Sequence, residues 1–246
     1  MAYYDRIAEQ WHAASGEQGG AFKALVLNDV LLAKLPDIQG RSILEVGAGN
    51  GYFLPLLLRG RAGQAPARVV VSDQSARLLA IARRHFRVPS AEYQVMDAAE
   101  PFPFGDGRFD LLLATMIFND LAAPAFRNAL ADCRRVLARG GLFLMSVLHP
   151  DFVSSLLHGG AIQRAGGALT MPGAGSLRLP VVLRTDETYR SALSAAGFQF
   201  ESETVFATEA VRQATPGLRR AAGAPLALVF SCTGAVRGQP DAQAPQ

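Results

Sequence analysis

The sequence predicts an α/β protein: a seven-stranded, mostly parallel, doubly wound sheet, with helices at the N-terminus and an insert after the fifth strand. Three observations predict it. From Arg41 onward, short apolar runs alternate with helical stretches, the pattern of strands joined by crossover helices. The first apolar run leads directly into the glycine-rich turn Gly47-Ala48-Gly49-Asn50-Gly51, where strand gives way to helix. Glycine also closes the later helices, at Arg139-Gly140-Gly141 and Ala196-Gly197, the residue type that a left-handed C-cap prefers.

Taken in order, the chain opens with helices at about 3–14 and 22–35. Strands are expected at 42–47, 68–73, 91–96, 109–115, 141–148, 197–206 and 226–233. Helices at about 51–61, 75–86, 124–138 and 186–196 lie between them. Residues 1–236 form one domain in this reading, with 1–40 as a helical lid and 151–184 as an inserted flap. The flap is inferred from the glycines between His158 and Ser176, since loops at the carboxyl ends of parallel strands are where such sheets bind ligands. The polar tail 237–246 is expected to be disordered.

Composition narrows the function. The 246 residues are 50% hydrophobic and 18% charged, enough to bury a sizeable core and too apolar for a disordered chain. The longest apolar runs, 53–58 and 111–118, are far short of a membrane span, and residues 1–10 carry acids and no signal-like apolar stretch. Cys133 and Cys232 can supply neither a disulfide framework nor, alone, a zinc site. The net charge of +3 comes from cations scattered along the chain, only Lys23 and Lys34 being lysines, so no nucleic-acid-binding tract is indicated. The expectation is a cytoplasmic globular protein, monomer or homodimer, with no membrane or nucleic-acid partner and no metal.

The chemistry is concentrated around Ile43-Leu44-Glu45-Val46-Gly47-Ala48-Gly49-Asn50-Gly51. A dinucleotide fingerprint, G-x-G-x-x-G, needs its third glycine at position 52, which is Tyr52. The pattern instead is E-x-G-x-G-x-G. It resembles the first motif of class I S-adenosylmethionine-dependent methyltransferases, and the resemblance continues through about residues 41–148. Val69-Val70-Val71-Ser72-Asp73 ends the second strand with an acid where that family binds ribose hydroxyls. Asp97 and Ala98 follow the third strand where the family meets adenine. Phe102-Pro103-Phe104 with Phe109-Asp110 resembles the entry to strand four, and Arg134 through Gly141 resembles the step into strand five.

The resemblance implies S-adenosylmethionine as cofactor, held by Tyr4, Glu45, Gly47, Ala48, Gly49, Gly51, Asp73, Gln74, Asp97, Ala98, Thr115 and Met116. Its vicinal ribose hydroxyls suit one carboxylate, and its amino-acid carboxylate suits backbone amides at a helix N-terminus. Simpler roles stand beside these. Asp73 can cap the next helix, Asp97 can be a turn acid and Glu45 can organise the loop; the stretch Met116–Asp120 after strand four is expected to floor the cofactor pocket, and its Asn119 and Asp120 can equally cap the helix near Pro124.

No Asn/Asp-Pro-Pro-aromatic motif follows strand four, and the acids of the metal-dependent catechol branch are missing. What remains is similar to the small-molecule branch, including quinone and natural-product methyltransferases, whose N-terminal helix resembles the stretch from Tyr3 to His12. The acceptor is then a small molecule, with Trp11, Phe22, Phe118, Asn119, His149 and Phe152 as candidate contacts. His149, at the carboxyl end of strand five, and His12 are the candidate general bases. Two rival readings are a methyltransferase acting on protein or RNA, and a protein that binds the cofactor without turnover.

Overall fold

A computed structural model describes residues 3–88, 91–165, 168–173, 176–214 and 223–234. The chain begins with α1 (Tyr3–Ser15), a 3-10 turn (Gly16–Gln18), α2 (Gly20–Phe22), a π-helical turn (Lys23–Leu27) and α3 (Asn28–Lys34). Then come β1 (Ser42–Val46), α4 (Phe53–Gly60), β2 (Arg68–Asp73), α5 (Ala76–His85), β3 (Ala91–Val95) and β4 (Phe109–Thr115). A 3-10 turn (Ile117–Asn119) leads to α6 (Ala123–Val136), β5 (Leu137–Leu148) and α7 (Pro150–His158). Three short strands follow, β6 (Gln163–Ala165), β7 (Ala168–Pro172) and β8 (Arg178–Pro180), and then α8 (Asp186–Ala195), β9 (Phe198–Phe206), α9 (Glu209–Ala214) and β10 (Pro225–Gly234).

The main sheet has seven strands in the order β3-β2-β1-β4-β5-β10-β9. β10 runs antiparallel to both neighbours and the other pairings are parallel. All seven expected strands are therefore present. The order reverses between β1 and β4, the switch point at which open α/β sheets bind ligands beyond the strand ends.

Alternation along the central strands builds two cores. Ile43, Leu111 and Leu113 face one side with Phe53, Leu54 and Leu57 of α4 and Leu27 and Leu31 ahead of it. Leu44, Val46, Leu112 and Ala114 face the other with Phe126 and Leu130 of α6 and Leu193 of α8. Because both faces are covered, the strands read as nearly continuous apolar runs. Each fully buried Leu or Phe contributes about 1.5–3 kcal/mol by leaving water. Arg61 ties two helix ends together, its guanidinium donating to the carbonyl oxygens of Leu32 (3.0 Å) and Leu35 (2.7 Å).

Three local differences from the expected elements have physical causes. The second expected helix is broken by the π turn at Lys23–Leu27, and α4 begins at Phe53, because Gly47, Gly49 and Gly51 all adopt positive φ and cannot start it. β5 extends back to Leu137, paired with Phe109, across the glycines expected to precede it. The insert is a helix and a three-stranded antiparallel sheet, with its residues 166, 167, 174 and 175 outside the description. The tail 237–246 also lies outside the described residues. Among the described residues, no helix is long and apolar enough to cross a membrane.

Gly51 shows how close the packing becomes beside the switch point: a Cβ there would lie 2.6 Å from Cβ of Ala82 on α5, on a backbone at φ +80°. Gly51→Ala is expected to lower stability by about 1–3 kcal/mol in chemical denaturation. An unchanged denaturation midpoint would show that the turn and α5 can separate freely.

Candidate functional site

The carboxyl ends of β1, β2, β3 and β4 open into a cleft of about 650 Å³, part of it open to solvent, with α1 lying over it. The sequence forms this site by stopping strands at residues that cannot continue them. β1 gives way at Gly47 (φ +67°), just past Val46, where a Cβ would meet the Ile117 side chain at 2.6 Å, so only glycine lets the two strand ends approach so closely. β2 ends at Asp73, whose carboxylate is 7% exposed. Its Oδ2 accepts from the Gly49 N–H and its Oδ1 from the Ser75 N–H, both at 2.8 Å. The cap of α5 is Ser75, whose hydroxyl oxygen accepts from the Leu78 N–H at 3.1 Å. Asp73 instead links the glycine turn to the strand beside it. Burial pushes its pKa upward, and the two N–H donors and Lys23 oppose that shift.

Nine of the residues expected to hold a cofactor line this one cleft: Tyr4, Gly47, Gly49, Asp73, Gln74, Asp97, Ala98, Thr115 and Met116. Glu45, Ala48 and Gly51 are not in its lining. Ala48 is buried and its N–H bonds the Ser72 carbonyl at 2.8 Å, while Gly51 packs on α5. Glu45 is buried at 2% exposure behind the turn, with Oε2 lacking any hydrogen-bond partner. Burial raises its pKa to about 8, against the pull of Lys23. Met116 is the one non-glycine among the described residues at positive φ (65°), a conformation costing about 1–3 kcal/mol. Asn119 holds it there, its amide donating to the Met116 carbonyl at 2.9 Å and accepting from the Leu148 N–H at 3.0 Å.

Trp11 reaches the lining, but the other residues expected to contact an acceptor do not. Phe118 is fully buried against Phe126 and Phe143. Phe22 stacks on Phe152 at 6.2 Å within the core. The two candidate bases also lie outside the lining. His149 caps α7, its Nδ1 accepting from the Asp151 N–H at 3.1 Å, which leaves the proton of the neutral ring on Nε2 and no free acceptor nitrogen. His12 packs on His85, ring centroids 4.5 Å apart, and its Nδ1 meets the Asn50 amide at 3.2 Å. Its pKa is lowered by burial and then by His85.

Lys23, Leu78, Met96 and Leu121 line the cleft without being expected there from the sequence, and Ile117 and Asp120 bear on it from the stretch expected to floor the pocket, where Asp120 is equally read as a helix cap. α6 in fact starts from Ala122 without a side-chain cap. Asp120 turns into the cleft and accepts from the Tyr4 hydroxyl at 2.9 Å. Burial raises its pKa to about 6, with the Tyr4 hydrogen bond and Arg184 opposing and Asp73 adding to the rise. The contacts that hold α1 across the mouth include Tyr4 on Asp120, the Tyr3 hydroxyl on the Arg178 carbonyl of β8, and the Ser75 hydroxyl on Asp5 at 2.7 Å. Among the described residues, no group of three or more His, Cys, Asp or Glu is placed to hold a metal ion.

Residues 43–141 match a family described as "Methyltransferase domain". The crystal structure of an S-adenosylmethionine dependent methyltransferase from Mesorhizobium loti shares the fold, with a TM-score of 0.65 and 23% identity over 88% of this chain and 99% of that one. Residues 43–141 of this chain are similar to a methyltransferase domain. The matched segment of that domain runs from β1 into β5 and contains the glycine turn, Asp73 and Asp97. An uncharacterised methyltransferase of Synechocystis is 32% identical over 118 residues, 48% of this chain and 52% of that protein. A demethylmenaquinone methyltransferase of Thermus thermophilus is 35% identical over 123 residues, 50% of this chain and 52% of that protein. The chain thus spans about half the length of these curated relatives.

With its ring nitrogen bound to the backbone, His149 acts on this domain as a helix cap. His149→Ala is expected to cost about 1 kcal/mol in thermal or chemical denaturation, and His149→Asn to restore most of it. Equal losses in both variants would mean that the histidine packs rather than caps.

Proposed function

We propose that the protein is an S-adenosylmethionine-dependent methyltransferase that methylates an oxygen, nitrogen or carbon atom of a small metabolite. The observation carrying this reading is the convergence of the Gly47–Gly51 turn, Asp73 and Asp97 on one cleft at the switch point of the sheet. The residues fit that ligand chemically. Each Asp73 oxygen holds one N–H and keeps lone-pair capacity for a hydroxyl donor. Asp97 has Oδ1 tied to the Ala99 N–H at 2.9 Å, with its second oxygen able to accept from an amino group. Gly49 keeps the turn open, since a Cβ there would come within 3.3 Å of the Trp11 indole nitrogen. When bound, S-adenosylmethionine supplies a methyl group on a cationic sulfur, open to displacement by a nucleophile.

The protein's own contribution is alignment, exclusion of water and handling of the acceptor's proton. α1, which lies over the cleft, is braced by the β6–β8 sheet through the Tyr3–Arg178 contact, which favours a small acceptor over a protein or RNA. In this reading residues 1–40 act as a lid and 151–184 as a cover on a single domain, 1–236. The demethylmenaquinone methyltransferase among the relatives lends support to a small, partly apolar acceptor in a biosynthetic route. The enzyme works in the cytoplasm, as a monomer or homodimer. Asp120, held by Tyr4 and half-buried in the cleft, is the group that takes a proton from the acceptor.

Calorimetry with S-adenosylhomocysteine tests the donor site: wild type binds, and Asp73→Ala weakens binding by about 30-fold or more. No heat from wild type would overturn the reading. Transfer from labelled donor into a metabolite extract tests the reaction, and label entering only protein or RNA would favour a macromolecular acceptor. Once an acceptor is found, its kcat/KM should rise with pH through about 6 as Asp120 loses its proton. Asp120→Asn should lower the rate by about 100-fold and remove that limb.

A further inference from the structure

The segment that leaves β8 returns to the turn between β4 and α6 and ties its backbone down at residues 118, 119 and 121, on either side of Asp120. The Val182 N–H donates to the Asn119 carbonyl at 2.8 Å. The Arg184 guanidinium straddles the rest, donating to the Phe118 carbonyl at 2.7 Å and to the Leu121 carbonyl. Carbonyls in such a turn have no sheet ladder to satisfy them, and α6 starts without a side-chain cap. The guanidinium rests on two buried rings, 4.5 Å from the centroid of Phe126 and 5.8 Å from that of Tyr189. No carboxylate of the described residues is within ion-pair distance of it. A planar fork with two carbonyl partners and two aromatic rests has a fixed direction that a flexible ammonium would lack. Between its anchor points Asp120 turns its carboxylate into the cleft and meets the Tyr4 hydroxyl at 2.9 Å.

We propose that Arg184 is a positioning residue for proton removal from the acceptor: by spanning the Phe118 and Leu121 carbonyls it aims the Asp120 carboxylate held between them. The proposal rests on the reading of Asp120 given above and deepens it. Arg184 is not in the cleft lining, so it acts through Asp120 rather than on a bound molecule. The insert thereby gains a part in the chemistry. Its β8 accepts from the Tyr3 hydroxyl of α1, and α1 in turn reaches Asp120 through Tyr4, so insert, turn and first helix close a ring around one carboxylate. The charged or titratable groups facing Asp120 are Tyr4 of α1, Asp73 at the end of β2 and Arg184, with Lys23 and Asp97 elsewhere in the same lining. Burial raises the Asp120 pKa to about 6; Tyr4 and Arg184 oppose the rise and Asp73 adds to it. Loss of the guanidinium therefore loosens the turn and makes the carboxylate harder to ionise.

The test uses the full chain, with carboxyl-labelled aspartate for a magnetic-resonance titration and labelled S-adenosylmethionine with a metabolite extract for the reaction. The Asp120 signal is assigned by its loss in Asp120→Asn. Arg184→Met should lift the Asp120 titration midpoint above the wild-type value near 6. It should also lower label transfer into small molecules by about 10-fold or more, while S-adenosylhomocysteine affinity stays within about twofold. Added to Asp120→Asn, Arg184→Met should cost no more than about twofold further, as for groups that act as one unit. Arg184→Lys keeps the charge without the fork, so its midpoint stays at the wild-type value and its rate falls by about threefold. An unmoved or lowered midpoint in Arg184→Met, or losses that multiply in full in the double variant, overturns the positioning role and leaves that of Asp120 standing. Should Arg184→Met not fold, a full wild-type rate in Arg184→Lys has the same meaning. Asp120→Asn transferring label at the wild-type rate overturns the reading of Asp120 and this proposal together. Wild type transferring no label overturns the methyltransferase reading beneath both.

Discussion

The site depends on one buried carboxylate. Asp73 sits at the end of β2 and accepts from Gly49 on one side and Ser75 on the other. Those bonds join the turn after β1 to the start of α5, so two segments distant in sequence are set at a common edge. Charge-assisted bonds from backbone N–H groups are among the stronger in a protein, and they hold a group that burial alone would neutralise. The glycines then follow as a geometric requirement. Gly47 must pass Ile117 and Gly51 must pass Ala82, or Gly49 could not reach the carboxylate.

Around that anchor the protein gathers more buried charge than it neutralises internally. Glu45, Asp73, Asp120 and Lys23 all lie at or just behind the cleft, and burial is the first cause of every one of their pKa shifts. Such an arrangement spends stability for binding capacity, and the two apolar cores on either side of the sheet supply the stability. The left-handed Met116, clamped by Asn119, belongs to the same pattern: local strain beside the cleft, over-determined by its neighbours.

Much of this was readable from the sequence, for specific reasons. Strands buried on both faces leave nearly unbroken apolar runs, so β1, β2, β4 and β5 stood out, and a glycine turn between strand and helix is hard to mistake. Asp73 and Asp97 could be placed through the family resemblance, Asp73 closing the second strand and Asp97 coming just after the third. His149 and His12 were drawn into the site by their titration range, but side-chain direction decides, and each points to a local backbone or ring partner. Phe118 illustrates the same limit: one residue from the cleft-lining Ile117, it faces the core. Lys23 could not be foreseen, because a π turn breaks the helical period and turns its side chain by an amount that no periodicity encodes. Asp120 was visible but ambiguous, since an acid shortly before a helix usually caps it.

The attachment of α1 has a kinetic meaning. The helix is held by an apolar contact of Ala8, Tyr4 and Trp11 with Leu78 and Ile81 of α5, and by polar contacts from Tyr3, Tyr4, Asp5 and His12 to separate parts of the domain. The sheet beneath is a close-packed solid. Under the proposed reading, the pace of exchange at the cleft would answer to how readily these contacts part rather than to the rigidity of the sheet.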